Sequence, residues 1–495
     1  VFNKILIANR GEIAIRVART CRDLGIATVA IYSEADYSSP HIYAVDEAVC
    51  VGPAQATASY LNAEAIIQAA KQTGAEAIHP GYGFLSENAS FARKVADAGL
   101  TFIGPAPESL EAVGNKIFAR QTVAKLGVPV IPALEHPSSD PAVLREQVHA
   151  LGYPLLIKAA AGGGGKGMRI VRQEKELTDA VAAAQREAAA AFAEGTVYLE
   201  RYLERPRHIE VQILGDTHGA LIHLGERECS IQRRYQKILE ETPSPIVDES
   251  LREKMTSAAL TVARAAGYYN AGTVEFILDT QGRFYFLEVN ARLQVEHPIT
   301  EWVTRLDLVR EQILIAAGER LHVRQEDVSR EGHAFECRVY AEDPANGFFP
   351  SPGQILAWQV PTGPGVRVDA GVERHSEVTV YYDPLIAKIS TWGWEREQAR
   401  KRMEAALRQC IVLGPTTNIE FLLDLITHPA FVSGDTHTGF LPEHFSHWQP
   451  QGKAHLMEAA LAAVVGRSLR SHNETTVQTN QETPWRRLGA WRMGM

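Results

Sequence analysis

A short apolar run and a glycine open the chain. Lys4-Ile-Leu-Ile-Ala8 reads as a strand, Gly11 as a turn, and the stretch to Leu24 as an amphipathic helix. Thr28-Val-Ala-Ile-Tyr32, Ala77-Ile-His79 and Thr101-Phe-Ile103 are further strands with helical patterns between them, which predicts a doubly wound α/β unit. The first strand lacks a following G-x-G-x-x-G, which argues against a dinucleotide site. Asn115 to Leu126 reads as helix, with Pro129 and Pro132 marking a hinge. Next come the strands Pro154-Leu-Leu-Ile-Lys158 and Met168-Arg-Ile-Val171, an Ala-rich helix from Glu174 to Glu194, and the strand Thr196-Val-Tyr-Leu-Glu200. Beyond Glu204 lies a larger mixed domain, with a strand at Ala334-Phe-Glu-Cys-Arg-Val339; from His447 the pattern degrades, and Ser468 to Pro484 reads as a polar linker. The expected class is α/β, α+β overall, divided at 1–115, 116–203, 204–446 and 447–495, without internal repeats.

Within the larger domain the pattern changes character. Gly272-Thr-Val-Glu-Phe-Ile-Leu278 and the nearly continuous apolar run Arg283-Phe-Tyr-Phe-Leu287 flank Asp279-Thr-Gln-Gly282, predicting a hairpin at the domain's centre whose second strand is buried on both faces. Then Glu288, Asn290, Arg292, Gln294 and Glu296 alternate with Val289, Ala291, Leu293 and Val295. An extended chain points all five polar side chains to one side, where they line an interior cleft in preference to a solvated face. Pairing Leu278 with Tyr285 sets Glu275 opposite Glu288. Opposed carboxylates repel, and a divalent cation between them removes the conflict. Glu275, Glu288 and Asn290 offer hard oxygen ligands without His or Cys, which favours Mg²⁺ or Mn²⁺, and Mg²⁺ with few protein ligands implies substrate phosphates nearby.

The composition of the 495 residues, 45% hydrophobic and 22% charged, is that of an ordinary globular protein. A net charge of −9, from 50 basic and 59 acidic residues, argues against a general nucleic-acid or polybasic membrane surface. The five Cys (Cys21, Cys50, Cys229, Cys337 and Cys410) are widely spaced, which suggests neither a disulfide framework nor a zinc site and fits a reducing compartment. No apolar run approaches the roughly 20 residues of a membrane span. A cytoplasmic location is expected, or the mitochondrial matrix if a leader preceded Val1.

Gly162 to Gly165, with Lys166 and Gly167, superficially suggest a P-loop. Gly167 stands where Ser or Thr is needed, Ala160 replaces the first Gly, and the segment joins two strands instead of a strand and a helix. A Gly-rich hairpin beside Lys158 is better read as a flap whose backbone N–H groups approach phosphates. With Ile7-Ala-Asn-Arg-Gly-Glu-Ile13, His79-Pro-Gly-Tyr-Gly-Phe-Leu-Ser-Glu87, Lys158 to Met168, Pro206-Arg-His-Ile-Glu210, Glu228-Cys-Ser-Ile-Gln-Arg-Arg234, Glu288 to Pro298 and Glu336-Cys-Arg-Val339, the chain from Phe2 to about Phe445 resembles the biotin carboxylases of the ATP-grasp superfamily. The resemblance implies an ATP-grasp fold with an N-terminal doubly wound domain, a Gly-rich lid and a mixed C-terminal domain. It also implies that Lys116, Lys158 and His208 contact ATP phosphates or ribose, that Gly164 and Gly165 belong to the flap, and that Glu200, Arg201 and Leu203 form the adenine hinge. Gln232 and Lys237 line the active site, Lys237 on the bicarbonate side. Tyr235 departs from the usual His at a ribose contact but can still donate a hydrogen bond. Ala291 departs from the usual Thr and faces away from the polar row.

Bicarbonate is a weak, anionic nucleophile, so its attack on the γ-phosphate of ATP needs orientation, charge neutralisation and a base. Arg292 can grip it in bidentate fashion, Gln294 and the Val295 backbone can complete its pocket, and Glu296 can take its proton. The family mechanism implies carboxyphosphate, its breakdown to CO₂, deprotonation of biotin by phosphate, and an enolate stabilised by Arg338, with Asp383 on the biotin side or simply capping the turn before Pro384. No Met-Lys-Met is present, so biotin arrives on a biotin carboxyl carrier protein or domain outside this chain. Thr483-Pro-Trp-Arg-Arg-Leu-Gly-Ala-Trp-Arg492 resembles the segment following biotin carboxylase in acyl-CoA carboxylase α subunits, which implies a carboxyltransferase partner that selects the acyl-CoA. Arg19 and Arg367 match positions of the family's homodimer contact, while Pro364 replaces a frequent aromatic. The competing readings are another ATP-grasp carboxylate–amine ligase, against which the row through Glu296 and Arg338 argue, and a non-catalytic ATP sensor, which predicts damage to the acidic pair or flap lysines.

Overall fold

The computed structural model describes residues 1–114, 116–134, 143, 148, 151–159, 168–192, 195–450 and 452, apart from the side chains of 116–118, 159, 191 and 192. The chain divides into a compact unit Val1–His447 and a second unit Trp448–Met495. All elements and site residues described below belong to the first unit. The Gly-rich segment with Gly164 and Gly165, the linker Ser468 to Pro484 and the Thr483 to Arg492 match lie outside the described residues.

Strands β1 (Lys4–Ile7), β2 (Ala27–Ser33), β3 (Glu47–Gly52), β4 (Ala77–His79) and β5 (Thr101–Phe102) form a parallel sheet in the order β3-β2-β1-β4-β5. Alternation along β1 sends Ile5 and Ile7 against the helix Gly11–Asp23, and Leu6 against the opposite layer with Val29, Ile66 and Val95. Both faces are covered, so the strand reads as an unbroken apolar run. Hydrophobic patterning does not reveal β3, an edge strand exposed along much of its length.

Strands β6 (Leu155–Ala159), β7 (Arg169–Val171) and β8 (Val197–Arg201) make an antiparallel sheet in the order β7-β6-β8. Leu155, Ile157, Val197 and Leu199 pack on Leu177, Val181 and Ala184 of the helix Leu177–Phe192. The Gly-rich segment therefore does join two paired strands.

The site is built on an antiparallel sheet of β9 (Arg207–Gly215), β10 (Leu221–Arg233), β11 (Gln236–Thr242), β12 (Asn270–Leu278), β13 (Phe284–Asn290), β14 (His333–Tyr340) and two further strands, Leu385–Gly393 and Val366–Ala370. Its order is β13-β12-β9-β10-β11-β14, then Leu385–Gly393 and Val366–Ala370. Ile209, Val211 and Ile213 of β9 and Val274, Phe276 and Leu278 of β12 pack on Met255, Ala259 and Val262 of the helix Glu249–Ala265, whose N-terminus Asp248 caps through Leu251 N at 2.8 Å. The alternate residues, His208, Glu210 and Gln212 of β9 and Thr273 and Glu275 of β12, occupy the other face.

Three expectations about the hairpin need correction. Its second strand is not buried on both faces: β13 is the edge of the sheet, met on its outer side among the described residues by the bridge of Val130 to Phe286, and Phe284, Tyr285 and Leu287 are only half-buried. Leu278 pairs with Phe284 and not Tyr285; a bulge between Glu275 and Phe276 absorbs Leu287 and restores Glu275 opposite Glu288. Finally, β13 ends at Asn290, so residues 291–296 are a loop leading into the helix His297–Thr304 instead of a continued strand. The turn itself follows its chemistry: Asp279 Oδ1 accepts from Gln281 N and Arg283 N, each at 2.9 Å, and Gly282 takes φ +76°.

Candidate active site

The charged face of this sheet converges on Lys237 of β11. Its ammonium donates to Glu210 Oε2 at 2.5 Å, Glu296 Oε1 at 2.7 Å and Glu275 Oε1 at 2.9 Å. Burial alone would lower its pKa, but the three carboxylates hold it well above the usual lysine range, so it remains charged. The other Glu275 oxygen lies 3.0 Å from His208 Nε2, and Gln232 Nε2 is 2.6 Å from His208 Nδ1, which leaves the ring proton on Nε2. Burial would raise Glu275; Lys237 and His208 outweigh it and keep the carboxylate well below its usual range.

Glu288 stands across the ladder from Glu275, and Asn290 follows it on the same face. These residues fit a hard divalent cation, because two ionisable carboxyl groups and an amide oxygen supply only oxygen donors. The His208, Glu210 and Glu275 ligand atoms also lie within 4.8 Å of one another, but an imidazole in the set suits a softer metal than the all-oxygen group does.

Arg292 is held by Glu87, a carboxylate of the His79–Glu87 motif to which the sequence alone assigns no role. Glu87 Oε2 accepts from Arg292 Nε at 2.8 Å, and Glu87 Oε1 from Ala291 N at 2.9 Å. The other arginine edges bond Gln294 Oε1 at 3.0 Å and Asn290 Oδ1 at 3.1 Å. Glu87 thus fixes the loop that replaces the expected strand, while Ala291 faces the apolar layer. Val295 contributes its carbonyl to Lys388 Nζ at 2.6 Å.

Glu296 is fully buried at the start of the helix His297–Thr304, without capping it. Arg338 Nη2 donates to Glu296 Oε2 at 2.9 Å and Arg338 Nε to Glu240 Oε1 at 2.7 Å, and its strand β14 lies inside the sheet. Burial opposes the charge on Glu296, yet Lys237, Arg338 and Arg227 hold it well below its usual range. Arg227, wholly buried, bonds Glu210, Gln212, Thr300 and Thr273. Sequence periodicity did not single out Arg227, Glu210, Glu240 or Lys388, whose partners lie on other elements of the fold.

A cleft of about 1430 Å³ reaches from this lattice to the lid. Glu200, Arg201 and Leu203 line it with Lys158. Lys158 Nζ pairs with Glu200 Oε1, and Arg120 Nη1 lies 3.2 Å from Glu200 Oε2. The Lys116 side chain lies outside the described residues. Tyr235 lines the cleft from the β10–β11 turn, where Arg234 and Tyr235 take φ 48° and 68°, and is 57% exposed. Asp383 also lines it, with Oδ1 accepting from Leu385 N at 2.9 Å, as a turn-capping carboxylate does. Within this chain Arg19 pairs with Asp369 at 3.2 Å, and Arg367 with Glu301 at 2.6 Å and Asp369 at 2.8 Å.

Fold and site together define an ATP-dependent ligase of the ATP-grasp kind. Family profiles match as "Biotin carboxylase, N-terminal domain" over residues 1–110, "Carbamoyl-phosphate synthase L chain, ATP binding domain" over 115–324 and "Biotin carboxylase C-terminal domain" over 336–443. The biotin carboxylase of Nostoc sp. is 51% identical over 442 residues, 89% of this chain and 99% of that protein. The mitochondrial methylcrotonoyl-CoA carboxylase subunit alpha of Dictyostelium discoideum is 47% identical over 492 residues, 99% of this chain and 70% of that protein. Among solved structures, the biotin carboxylase domain dimer of Hydrogenobacter thermophilus 2-oxoglutarate carboxylase, in complex with MgADP, ADP and bicarbonate, superposes with TM-score 0.86 at 47% identity, covering 90% of this chain and 98% of that one. A Campylobacter jejuni biotin carboxylase complex gives TM-score 0.87 at 42% identity, covering 90% and 99%. The chain belongs to the biotin carboxylase family.

Proposed function

We propose that this chain carboxylates carrier-borne biotin with ATP, Mg²⁺ and bicarbonate, as the first half-reaction of an acyl-CoA carboxylase. The observation that carries the reading is Glu296 held between Lys237 and Arg338, a base bridging the phosphate side of the cleft to its biotin side. Glu275, Glu288 and Asn290 would hold Mg²⁺, which, when bound, neutralises phosphate charge as the transferring group moves. Lys158 and His208 bind nucleotide from the lid and sheet, with Lys116 and the Gly164–Gly165 flap; Glu200, Arg201 and Leu203 hold the base, while Gln232 and Tyr235 meet the ribose side.

Arg292 exchanges its Gln294 and Asn290 contacts for bicarbonate. As anionic substrates engage Lys237 and Arg338, Glu296 loses stabilising partners and its proton affinity rises. It then accepts the bicarbonate proton while the bicarbonate oxygen bonds to the γ-phosphorus and the bond to ADP breaks. Carboxyphosphate separates into CO₂ and phosphate. Phosphate takes the ureido proton, Arg338 stabilises the enolate oxygen, and the freed nitrogen bonds to CO₂. Asp383 borders the biotin entrance.

A biotin carboxyl carrier and a carboxyltransferase are the implied partners. The alignment with the Dictyostelium α subunit through 492 residues supports the acyl-CoA carboxylase setting. A homodimer through the region of Arg19 and Arg367 is supported by the dimer of the Hydrogenobacter domain. No helix among the described residues is long and apolar enough to cross a membrane. Five free cysteines support a reducing compartment, the cytoplasm or the mitochondrial matrix.

The test is ADP release with Mg²⁺, bicarbonate and free biotin, each omitted in turn, for the parent and Glu296→Ala. Dependence on bicarbonate, stimulation by biotin and loss in the variant support the reading; turnover indifferent to both substrates points to another ATP-grasp ligase.

A further inference from the structure

Two carboxyl groups of the buried lattice have no part in these steps. Glu240 on β11 and Glu336 on β14 are both inaccessible to solvent and stand directly opposite one another in the strand register. Cross-strand partners have Cβ atoms about 4.5–5.5 Å apart, so both carboxyl groups occupy one small volume. Glu240 Oε1 accepts from Arg338, but Glu240 Oε2 and both Glu336 oxygens have no hydrogen-bond partner. Two anions do not share such a place: an unsatisfied buried acceptor is costly, and the two charges repel.

The surrounding groups bring charge, but none among the described residues donates to these three oxygens. Arg338 on β14 is committed to Glu240 Oε1 and Glu296. Lys388, on the strand Leu385–Gly393, donates to Val295 O at 2.6 Å and lies 3.4 Å from Glu12 of the helix Gly11–Asp23, which Tyr82 also bonds. Ser390, the register partner of Glu336, accepts from Trp302 Nε1 at 3.0 Å. Lys237 lies beyond Glu296 and is saturated by three carboxylates.

We propose that Glu336 is a neutral carboxylic acid that donates its proton to Glu240 Oε2, and that the pair positions Arg338 for the ureido oxygen of biotin. The O–H supplies the missing donor and removes one of two opposed charges. Glu240 remains a single anion whose Oε1 holds Arg338 at Nε, 2.7 Å, and at Nη2, 2.6 Å, so the guanidinium is fixed on the side away from the substrate, with Glu296 sharing Nη2. Burial first, then Glu240 against the pull of Lys388, pushes Glu336 well above the carboxylate range; burial raises Glu240 too, but Arg338 bonded to it opposes the rise. Ionisation of Glu336 at high pH would place a second anion beside Arg338 and draw it from the substrate. The positioning role rests on Arg338 facing biotin; the protonation state does not.

Infrared spectra of the parent and of Glu336→Gln separate the two. At neutral pH the variant is expected to lose a protonated-carboxyl carbonyl band; loss of a carboxylate band instead overturns the proposal. Glu240→Gln gives the complementary reading if the first variant does not fold, losing a carboxylate band and keeping the acid band, and the reverse outcome again overturns it. In the same E336Q protein, the alkaline limb of kcat/KM for biotin is expected to move up by about one pH unit or more, whereas the pH dependence of biotin-free, bicarbonate-dependent ADP release stays with the parent. Superimposable biotin profiles overturn the positioning role. Failure of the biotin carboxylase reading shows separately, as a parent enzyme that biotin does not stimulate.

Discussion

The parallel sheet around β1 and the antiparallel sheet around β9 are buried to the same depth and held by opposite means. Ile5, Leu6 and Ile7 are closed to solvent and meet apolar layers on both sides. Glu210, Gln212 and Arg227 are equally closed, yet meet Lys237, Thr273 and Thr300. Apolar packing depends on volume and tolerates repacking, whereas a buried charge demands a particular partner at a particular atom. The first sheet is therefore a frame, and the second a set of oriented charges that chemistry can use.

The strongest way to break the contrast is at its charged end. Glu275→Gln is expected to lower bicarbonate-dependent ADP release by about 10³-fold, since it removes an Mg²⁺ ligand and the anion aligning Lys237 and His208. Retention of more than a tenth of the parent rate would contradict the assignment. Stability comes next. Arg227→Met is expected to cost roughly 3–5 kcal/mol in urea unfolding and to depress activity of the folded fraction, whereas Ile5→Ala is expected to cost about 2–5 kcal/mol with kcat unchanged. Equal effects of the two on kcat would erase the distinction.

The same contrast explains what could be read from the chain. β1, β2 and β4 were legible because inner strands covered on both faces leave apolar runs, and β3 was not because an exposed edge strand needs none; β5, at the other edge, was legible through Phe102 and the buried Ile103 that follows it. Glu275 opposite Glu288 was correctly foreseen, although by a pairing of Leu278 with Tyr285 that the bulge at Leu287 replaces. The polar row from Glu288 to Gln294 does line the cleft, with Glu296 buried behind it, but beyond Asn290 a loop clamped by Glu87 presents it, and a contact 205 residues distant in sequence leaves no periodic trace. For the same reason Arg227, Glu240 and Lys388 were invisible: each is defined by partners on other elements of the fold.

A smaller effect sharpens the comparison at the Arg10–Asp36 ion pair that follows β2. Burial would raise Asp36, but hydrogen bonds and charge from Arg10, with Tyr60, lower it from 3.8 to about 2. A depressed carboxylate stabilises the fold above its unfolded pKa and ceases to do so as pH falls through the folded one. About 2 kcal/mol present above pH ~4 is thus expected to vanish between pH ~4 and ~2, and Arg10→Gln to remove most of that slope in acid unfolding. An unchanged slope would show that other acids govern this window. The smallest effect belongs to Tyr235, exposed on its turn: Tyr235→His is expected to change KM for ATP by less than about fivefold, and a larger change would make this residue a principal nucleotide contact.

The central claim is that the charged face carries two separable tasks, ATP cleavage around Glu275 and Lys237 and biotin activation around Arg338. It is tested most directly with Arg338→Gln, by following labelled carboxybiotin and ADP in one reaction. The account predicts that carboxybiotin falls by about 10²-fold or more while bicarbonate-dependent ADP release falls by less than about tenfold. A parallel fall of both, or survival of both, would contradict it.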